Sequence, residues 1–268
     1  MRLNAFFSRH PVFTTEEVAD FLRRRGSDSR WTQKALLAHH EQQGHVVRLR
    51  RGLYATVPSG VDPANVSVDP YLLASKLTDD AVLAYHTALA FQGKAYSTLN
   101  RFLYLTTHRT RPCSIRSQTF RGVLVPKGLR AKDRGLAYVR EHDRLGLSVP
   151  VTTLERTLVD VLDRPELSGD WEEIWRSLES VEFFNLDVVL EYALLLGNAT
   201  TTAKVGYFLD QHRERLMVDD TLLQALKQHS PRQPHYMDRN APGECQLESE
   251  WNLIVPACVA ERAWEEVR

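Results

Sequence analysis

Cysteines and long hydrophobic runs are scarce in this 268-residue chain. No apolar run approaches the roughly 18 residues that a membrane helix needs. Residues 1–15 also lack the apolar core and cleavage site of a secretory signal. The three cysteines, Cys113, Cys245 and Cys258, are odd in number and far apart, which favours reduced thiols over a disulfide framework or a metal spacing. We therefore expect a cytoplasmic protein without a membrane segment.

Motifs for catalysis and cofactor binding are missing as well. The sequence has no Walker loop, no G-x-G-x-x-G and no nucleophile elbow. His39 and His40 are adjacent and cannot both face one ion from a regular helix. Glu155, Asp160 and Asp163 could supply part of a nuclease metal site, but Glu155 has capping-box spacing with Thr152 and is better explained as part of a helix cap. The sequence predicts a protein that is not an enzyme and has no cofactor or metal, with a nuclease as the minor alternative.

The net charge of the chain is zero, but its basic and acidic residues are unevenly distributed along the sequence. Residues 1–60 carry ten Lys and Arg against five acidic residues, and residues 94–134 carry ten against the single acid Asp133. Residues 166–191 hold eight acids and one basic residue, Arg176. The two basic regions indicate contact with an anionic partner. For residues 94–134, an ordinary solvated surface, extra phosphate contacts and a docking site for an acidic partner all remain open.

The first sixty residues have the pattern of a winged helix-turn-helix. Thr14 and Glu17 have the spacing of a capping box, which begins a helix that ends at Gly26. A short polar turn then precedes a helix at about residues 30–43, with Ser27 or Ser29 as its cap. Two short strands follow around Arg50-Arg51-Gly52, where glycine supplies the positive φ of a tight hairpin. A basic hairpin directly after a helix-turn-helix is a wing.

This module predicts an interface with duplex DNA. The first turns of the helix at about residues 30–43 would meet base edges, where Arg addresses guanine and Gln addresses adenine. The arginines of the wing would contact phosphates or enter a minor groove. Trp31 and Leu37 are expected in the core of the module. The predicted DNA-binding residues are Arg30, Thr32, Gln33, Lys34, Arg48, Arg50 and Arg51.

A linker and a larger α+β domain are expected after the wing. Residues 58–70 contain three prolines and a glycine, which is typical of a linker. We predict a winged-helix domain at 1–58, a linker at 59–70 and a second domain at 71–268. The second domain is predicted as mixed α/β, with short strands first and helices afterwards. Its strands are expected at 101–106, 114–120, 123–125 and 136–139, and its helices at about 152–163, 170–182, 186–196, 199–215 and 219–228.

The sequence resembles the AbiEi antitoxins of type IV toxin–antitoxin systems over nearly its full length. Three segments carry the resemblance in order along the chain. They are the wing Arg48-Leu49-Arg50-Arg51-Gly52-Leu53-Tyr54, the segment Tyr85-His86-Thr87-Ala88-Leu89, and the run L-E-R-T-L-V-D-V-L-D-R-P from Leu154 to Pro165. The wing alone is weakly specific, whereas the order of the three segments is considerably more so.

The resemblance implies a regulator with two functions. The winged helix is expected to repress its own operon by binding inverted repeats in the promoter, and the larger domain to counteract a nucleotidyltransferase-like toxin. A stable complex with the toxin is not required in such systems. The protein is then expected to be a monomer in solution and to bind the inverted repeats as two copies. The alternative is a stand-alone winged-helix transcriptional regulator whose larger domain is a sensor or an oligomerisation platform.

Overall fold

The computed structural model describes residues 3–27, 29–241, 243–262 and Trp264, which form helices and short strands of mixed α+β type. Parts of the predicted domains, namely Met1, Arg2, Asp28, Pro242, Ala263 and residues 265–268, lie outside the described residues. The predicted fold class is confirmed. A module of helices and a small sheet comes first, and a larger α/β region follows.

The N-terminal module has the element order of a winged helix with one additional strand. Its helices are α1 (Asn4–Phe7), α2 (Thr15–Arg23) and α3 (Arg30–Gln42), and its strands are β1 (Val12–Thr14), β2 (Val46–Arg50) and β3 (Leu53–Thr56). The strands form an antiparallel sheet in the order β1-β3-β2. Strand β1 was not expected, because three residues are too few to show a period.

Local hydrogen bonds set the helix starts in this module. The Thr14 amide donates to Glu17 Oε2 at 2.8 Å, and the Glu17 amide donates to Thr14 Oγ1 at 3.2 Å, so the predicted capping box is confirmed. Ser29, one of the two predicted caps, accepts from the Thr32 amide at 3.3 Å. Gly52 at the wing tip has φ +80°, as the tight hairpin requires.

The module has an apolar core of its own. Leu37 is in it, as predicted, and most of the aromatic rings of the first 54 residues meet there. The Phe6 and Phe13 ring centroids are 5.3 Å apart, edge to face. Fully buried core residues include Leu3, Phe6, Phe13, Val18, Leu22, Leu37 and Val46. The sheet and helices of the module are therefore held together by packing as well as by the hydrogen bonds of the helix caps.

The segment predicted as a linker contains regular structure. A single 3₁₀ turn spans Pro63–Asn65, and α4 (Pro70–Ser75) starts at its end. Asp69 caps α4 through the amides of Tyr71 and Leu72, both at 3.0 Å. The domain boundaries at residues 58 and 71 stay predictions.

A six-stranded sheet follows in the larger region. Its strands are β4 (Val82–Leu83), β5 (Arg101–Thr106), β6 (Cys113–Ile115), β7 (Gln118–Leu124), β8 (Val139–Arg144) and β9 (Leu147–Thr152), in the order β6-β7-β5-β4-β9-β8. The expected single strand at 114–120 is wrong, because Arg116 takes a positive φ of 55° and turns the chain into the β6–β7 hairpin. The strand expected at 136–139 begins only at Val139.

The helices of the larger region are mostly as predicted. They are α5 (His86–Phe91), α6 (Lys127–Ala131), α7 (Leu154–Asp163), α8 (Trp171–Glu179), α9 (Leu186–Leu196), α10 (Ala199–Gln211), α11 (Arg213–Leu216), α12 (Asp220–Gln228) and α13 (Ala257–Ala260). The predicted helix 199–215 is divided at His212. The remaining strands β10 (His235–Tyr236), β11 (Cys245–Glu248) and β12 (Leu253–Pro256) form a mixed sheet in the order β10-β12-β11.

The chain forms two compact units that alternate along the sequence. Unit 1 contains residues 1–83, 100–123 and 141–150, and unit 2 contains residues 84–99, 124–140 and 151–268. The winged helix and most of the six-stranded sheet lie in unit 1. Among the described residues, no helix combines the length and the apolar character that crossing a membrane requires.

Candidate nucleic-acid interface

The first two turns of α3 present two of the predicted DNA-binding cations to solvent. Arg30 is the first residue of the helix, Lys34 follows one turn later, and both side chains are exposed. Both lie at the amino-terminal end of the helix, where recognition helices meet base edges. The helix dipole also favours an anion at this end.

Two other predicted residues of α3 are held within the module. The side-chain amide of Gln33 donates to the backbone carbonyl oxygen of Thr15, and Gln33 is half-buried. Thr32 is half-buried too, and its backbone amide donates to the Ser29 cap. Gln33 thereby ties α3 to the start of α2. Their role as base-reading residues stays a prediction.

Trp31 was expected in the core, and this expectation is wrong. Its side chain is 80% exposed, the largest exposure among the large hydrophobic residues of the described chain. The face of α3 that packs on the module carries Leu37 and His40, and Trp31 lies on the opposite face. The apolar type of a residue does not by itself place it in the core, because the pattern of a weakly amphipathic helix does not define which face is buried.

The wing presents its arginines in two different ways. Arg51 is exposed at the tip, beside Gly52. Arg48 is exposed on β2, and its Nε donates to the Arg50 carbonyl oxygen at 3.4 Å. The β2–β3 pairing shifts register between Arg48 and Arg50, so a bulge redirects the strand next to the tip.

Arg50 reaches from the wing to the larger sheet of unit 1. Its Nη2 donates to the Leu77 carbonyl oxygen at 3.1 Å, and its Nη1 lies 4.0 Å from Cys113 Sγ. Nearby, an ion pair joins Lys76 with Glu17, the capping residue of α2. The wing tip is therefore fixed at its base by Arg50, while Arg51 stays directed to solvent.

Other cations of the N-terminal module have local partners. Arg23 pairs with Asp20 at 2.7 Å, and the Arg25 guanidinium lies 4.4 Å from the centroid of the Phe21 ring. Such contacts are compatible with surface exposure and are worth little by themselves.

The basic stretch 94–134 is divided between the two units. In unit 1, Arg109, Arg111 and Arg121 are exposed, whereas Arg116 donates to the carbonyl oxygens of Ala64 at 2.6 Å and Pro63 at 3.1 Å. In unit 2, the exposed cations of the stretch are Lys127, Arg130, Lys132 and Arg134, and Lys132 donates to the Leu195 carbonyl oxygen at 2.8 Å. Some of these cations therefore stabilise the fold locally.

The carboxylates considered for catalysis have structural partners. Glu155 accepts from the Asn185 amide at 3.2 Å, and Asp163 accepts from Asn198 at 2.9 Å. His86 is buried, with its Nε2 3.1 Å from Glu173 Oε1.

One group could hold a metal ion among the described residues, namely Asp79, Asp80 and His108. The Asp80 carboxylate already accepts from Thr106 at 2.5 Å and from Thr107 at 2.6 Å. Burial tends to raise the pKa of Asp80, but these hydrogen bonds outweigh it and lower the pKa to about 2. The carboxylate is thus occupied in fixing the start of the 107–112 loop.

The N-terminal module matches a known protein family. Residues 1–57 match the family described as "Transcriptional regulator, AbiEi antitoxin". The expected resemblance to the AbiEi family is confirmed over these residues, which cover α1 to β3 and therefore the whole candidate interface.

Two further likenesses extend beyond these residues. The chain is similar in fold to the crystal structure of the RV2827C protein from Mycobacterium tuberculosis, with a TM-score of 0.63, 20% identity, and coverage of 99% of this chain and 94% of that one. It is 26% identical over 172 residues to a CTP synthase of Methanosphaerula palustris, a match over 56% of this chain. The match spans 32% of the length of that synthase.

Proposed function

We propose that this protein is an antitoxin and transcriptional regulator whose residues 1–58 bind duplex DNA of its own promoter. The family match over residues 1–57 supports this proposal most directly. The exposed cations Arg30, Lys34, Arg48 and Arg51 support it physically, since they lie at the amino-terminal end of α3 and on the wing. These are the two elements with which a winged helix contacts a groove and the neighbouring phosphates.

Autorepression would use two copies of the module on an inverted repeat, from a protein that is monomeric in solution. The larger region, at 71–268 in the predicted division, would counteract a nucleotidyltransferase-like toxin without a stable complex. This part rests on the resemblance of the segments at 85–89 and 154–165. We expect the protein to act in the cytoplasm, without catalysis and without a cofactor or metal.

Salt-dependent binding tests the DNA-binding half. A labelled duplex from the region directly upstream of the coding sequence is titrated with the full chain, and the affinity is measured by fluorescence anisotropy at several salt concentrations. If Arg48 and Arg51 each neutralise one phosphate, Arg48→Ala with Arg51→Ala should flatten the slope of log K against log salt by about 1.8. Arg50→Ala should flatten it less than Arg51→Ala, because its guanidinium already donates to the Leu77 carbonyl oxygen.

Arg232→Ala is the matched control, since Arg232 is exposed but lies outside both basic regions. Its slope should equal that of the wild type. No binding of the upstream duplex at moderate salt, or a slope that the double variant leaves unchanged, would refute the proposed interface.

Co-expression tests the antitoxin half. Where a nucleotidyltransferase-like gene adjoins this one, its product should arrest growth alone and not in the presence of this protein. The family match ends at residue 57 and therefore supports the regulator more directly than the antitoxin. A stand-alone regulator is the second candidate, and growth arrest that persists on co-expression would favour it.

A further inference from the structure

Helix α3 carries an apolar stripe on the face that points away from the module. Trp31, Ala35 and Ala38 are spaced four and three residues apart, so they lie on one side of the helix, and all three are exposed. The buried residues Leu37 and His40 lie on the other side. The stripe is therefore not the edge of the core but a separate surface.

The composition of this stripe allows close approach to a partner. The two alanines have small side chains that let a partner approach the middle of the helix, and the indole of Trp31 projects at its amino-terminal end. A tryptophan that is 80% exposed leaves a large apolar area in water. Burial of that area in a complex is favourable, so an apolar surface is expected on the partner where Trp31 meets it.

The charges beside the stripe indicate what the partner is. Arg30 and Lys34 flank Trp31 on the same two turns and are exposed. A second copy of this chain would bring like charges together, which is unfavourable. Duplex DNA would instead provide phosphates for the two cations while α3 occupies the major groove.

In the major groove, the exposed apolar group is the 5-methyl group of thymine, which alanine and aromatic side chains contact. We propose that Trp31, with Ala35 and Ala38, binds thymine methyl groups and makes the module prefer thymine at the positions that α3 covers. This inference rests on the proposed DNA binding and adds a chemical specificity to it. The side-chain amide of Gln33 donates to the Thr15 carbonyl oxygen within the module, so the apolar stripe is a separate source of specificity.

Removal of the methyl groups from the DNA tests the proposal. The upstream duplex is prepared with all thymine replaced by uracil, which keeps the Watson–Crick edge and removes the methyl, and its affinity is compared with that of the thymine duplex. The wild type should bind the uracil duplex about fourfold more weakly for each methyl group that α3 would otherwise bury. Replacement by 5-bromouracil, whose bromine is close in size to a methyl group, should restore the affinity.

A double-mutant cycle assigns the effect to Trp31. Trp31→Ala should weaken binding to the thymine duplex and should reduce the difference between the thymine and uracil duplexes, because the variant loses the indole and keeps only the contacts of Ala35 and Ala38. Trp31→Phe should keep part of the difference. Phe183→Ala is the matched control, since Phe183 is another exposed aromatic residue, 69% accessible, and lies in unit 2.

The outcomes separate this inference from the function on which it rests. Failure of the wild type to bind either duplex refutes the proposed DNA binding. Equal affinity of the wild type for both duplexes, with binding intact, refutes the methyl contact alone. A dimer of the wild type in sedimentation that dissociates in Trp31→Ala would show that the stripe binds a second copy, and would also overturn the inference. An unchanged melting temperature of Trp31→Ala shows that the variant is folded.

Discussion

Arg156 and Asp160 form a fully buried ion pair on α7, within the L-E-R-T-L-V-D-V-L-D-R-P run. Arg156 Nε lies 3.2 Å from Asp160 Oδ2, and its Nη1 donates to the carbonyl oxygens of Gly135 at 2.9 Å and Ala137 at 2.6 Å. The Tyr192 hydroxyl donates to Asp160 Oδ1 at 2.6 Å. This part of the motif therefore holds the 135–137 segment and α9 against α7 inside unit 2.

Arg156→Met should destabilise unit 2 by about 3–5 kcal/mol, because it leaves the Asp160 carboxylate buried without its cation. Burial raises the pKa of Asp160, and Arg156 opposes that rise. In the variant a carboxyl with a raised folded pKa favours the folded state when protonated, so the destabilisation should be smaller at pH 5 than at pH 8. Urea denaturation at both values measures it.

Glu166→Gln serves as the control, since Glu166 pairs with Arg164 at 3.2 Å at the surface and is 59% exposed. Its destabilisation should stay below about 1 kcal/mol. A small effect of Arg156→Met, or an equal effect at the two pH values, would contradict the assignment.

At the scale of elements, a pair of histidines joins the end of α3 to the start of β2. His40 Nδ1 and His45 Nδ1 are 3.1 Å apart, and the His40 ring lies edge to face with Phe7 at 4.9 Å between centroids. Burial, with smaller effects from His45 and His39, lowers the pKa of His40 below its ordinary 6.5. The neutral imidazole is therefore part of the packed junction between the helix and the wing.

Stability should decrease as the pH falls below about 6.5, because the unfolded chain then binds a proton that folded His40 does not. Above that pH the contribution is fully present. Melting temperatures of the full chain between pH 8 and 5.5 measure this, and His40→Gln should show a shallower decrease than the wild type. His229→Gln is the control, since His229 is exposed and belongs to unit 2. The same decrease in all three proteins would disprove the role of His40.

Helix caps show how far local sequence predicts an element. The capping box of Thr14 and Glu17 is confirmed because all of its bonds are made within four residues. The capping box expected at Thr152 and Glu155 is wrong. Thr153 is the cap, accepting from the Arg156 amide at 3.4 Å, while Thr152 Oγ1 lies 2.8 Å from Thr157 Oγ1. Arg156, and not Glu or Gln, stands three residues after Thr153, so the capping-box pattern favours Thr152 although the helix begins one residue further on.

At the scale of the whole molecule, the two units are not consecutive in sequence. The first seventy residues contact the rest of unit 1 at several places, beyond the Arg50 and Lys76 contacts of the wing. Arg144 pairs with Asp69 at 2.7 Å, and Arg116 donates to the carbonyl oxygens of Pro63 and Ala64. The segment predicted as a linker is thereby anchored to the strands of the larger sheet.

Removal of the winged helix and linker should lower the stability of the remaining chain. A fragment of residues 71–268 lacks Glu17, Arg50 and Asp69 with the bonds that they make, and we expect it to be less stable by on the order of 1–3 kcal/mol and to melt at a lower temperature than the full chain. A fragment of residues 59–268 keeps the bonds of Asp69 and Pro63 and should melt between the two. Equal melting temperatures of all three would instead support an independent domain at 71–268.

Elements whose signals are local in the chain could be predicted from the sequence. The capping residues, the glycine of the wing tip, the strand 101–106 and the apolar periods of the long helices all act within a few residues. The basic wing and the AbiEi resemblance came from the same local patterns, and the family match over residues 1–57 confirmed the resemblance there.

The directions of side chains and the groups that they contact depend on packing between elements that are distant in sequence. The tertiary structure turned Trp31 outward, directed Gln33 to Thr15, and joined Arg50 to Leu77, a residue 27 positions away. The physical reason is that burial is a property of packed elements. In a weakly amphipathic helix such as α3, the pattern of residues does not define one buried face. The elements that pack against the helix determine which face is buried.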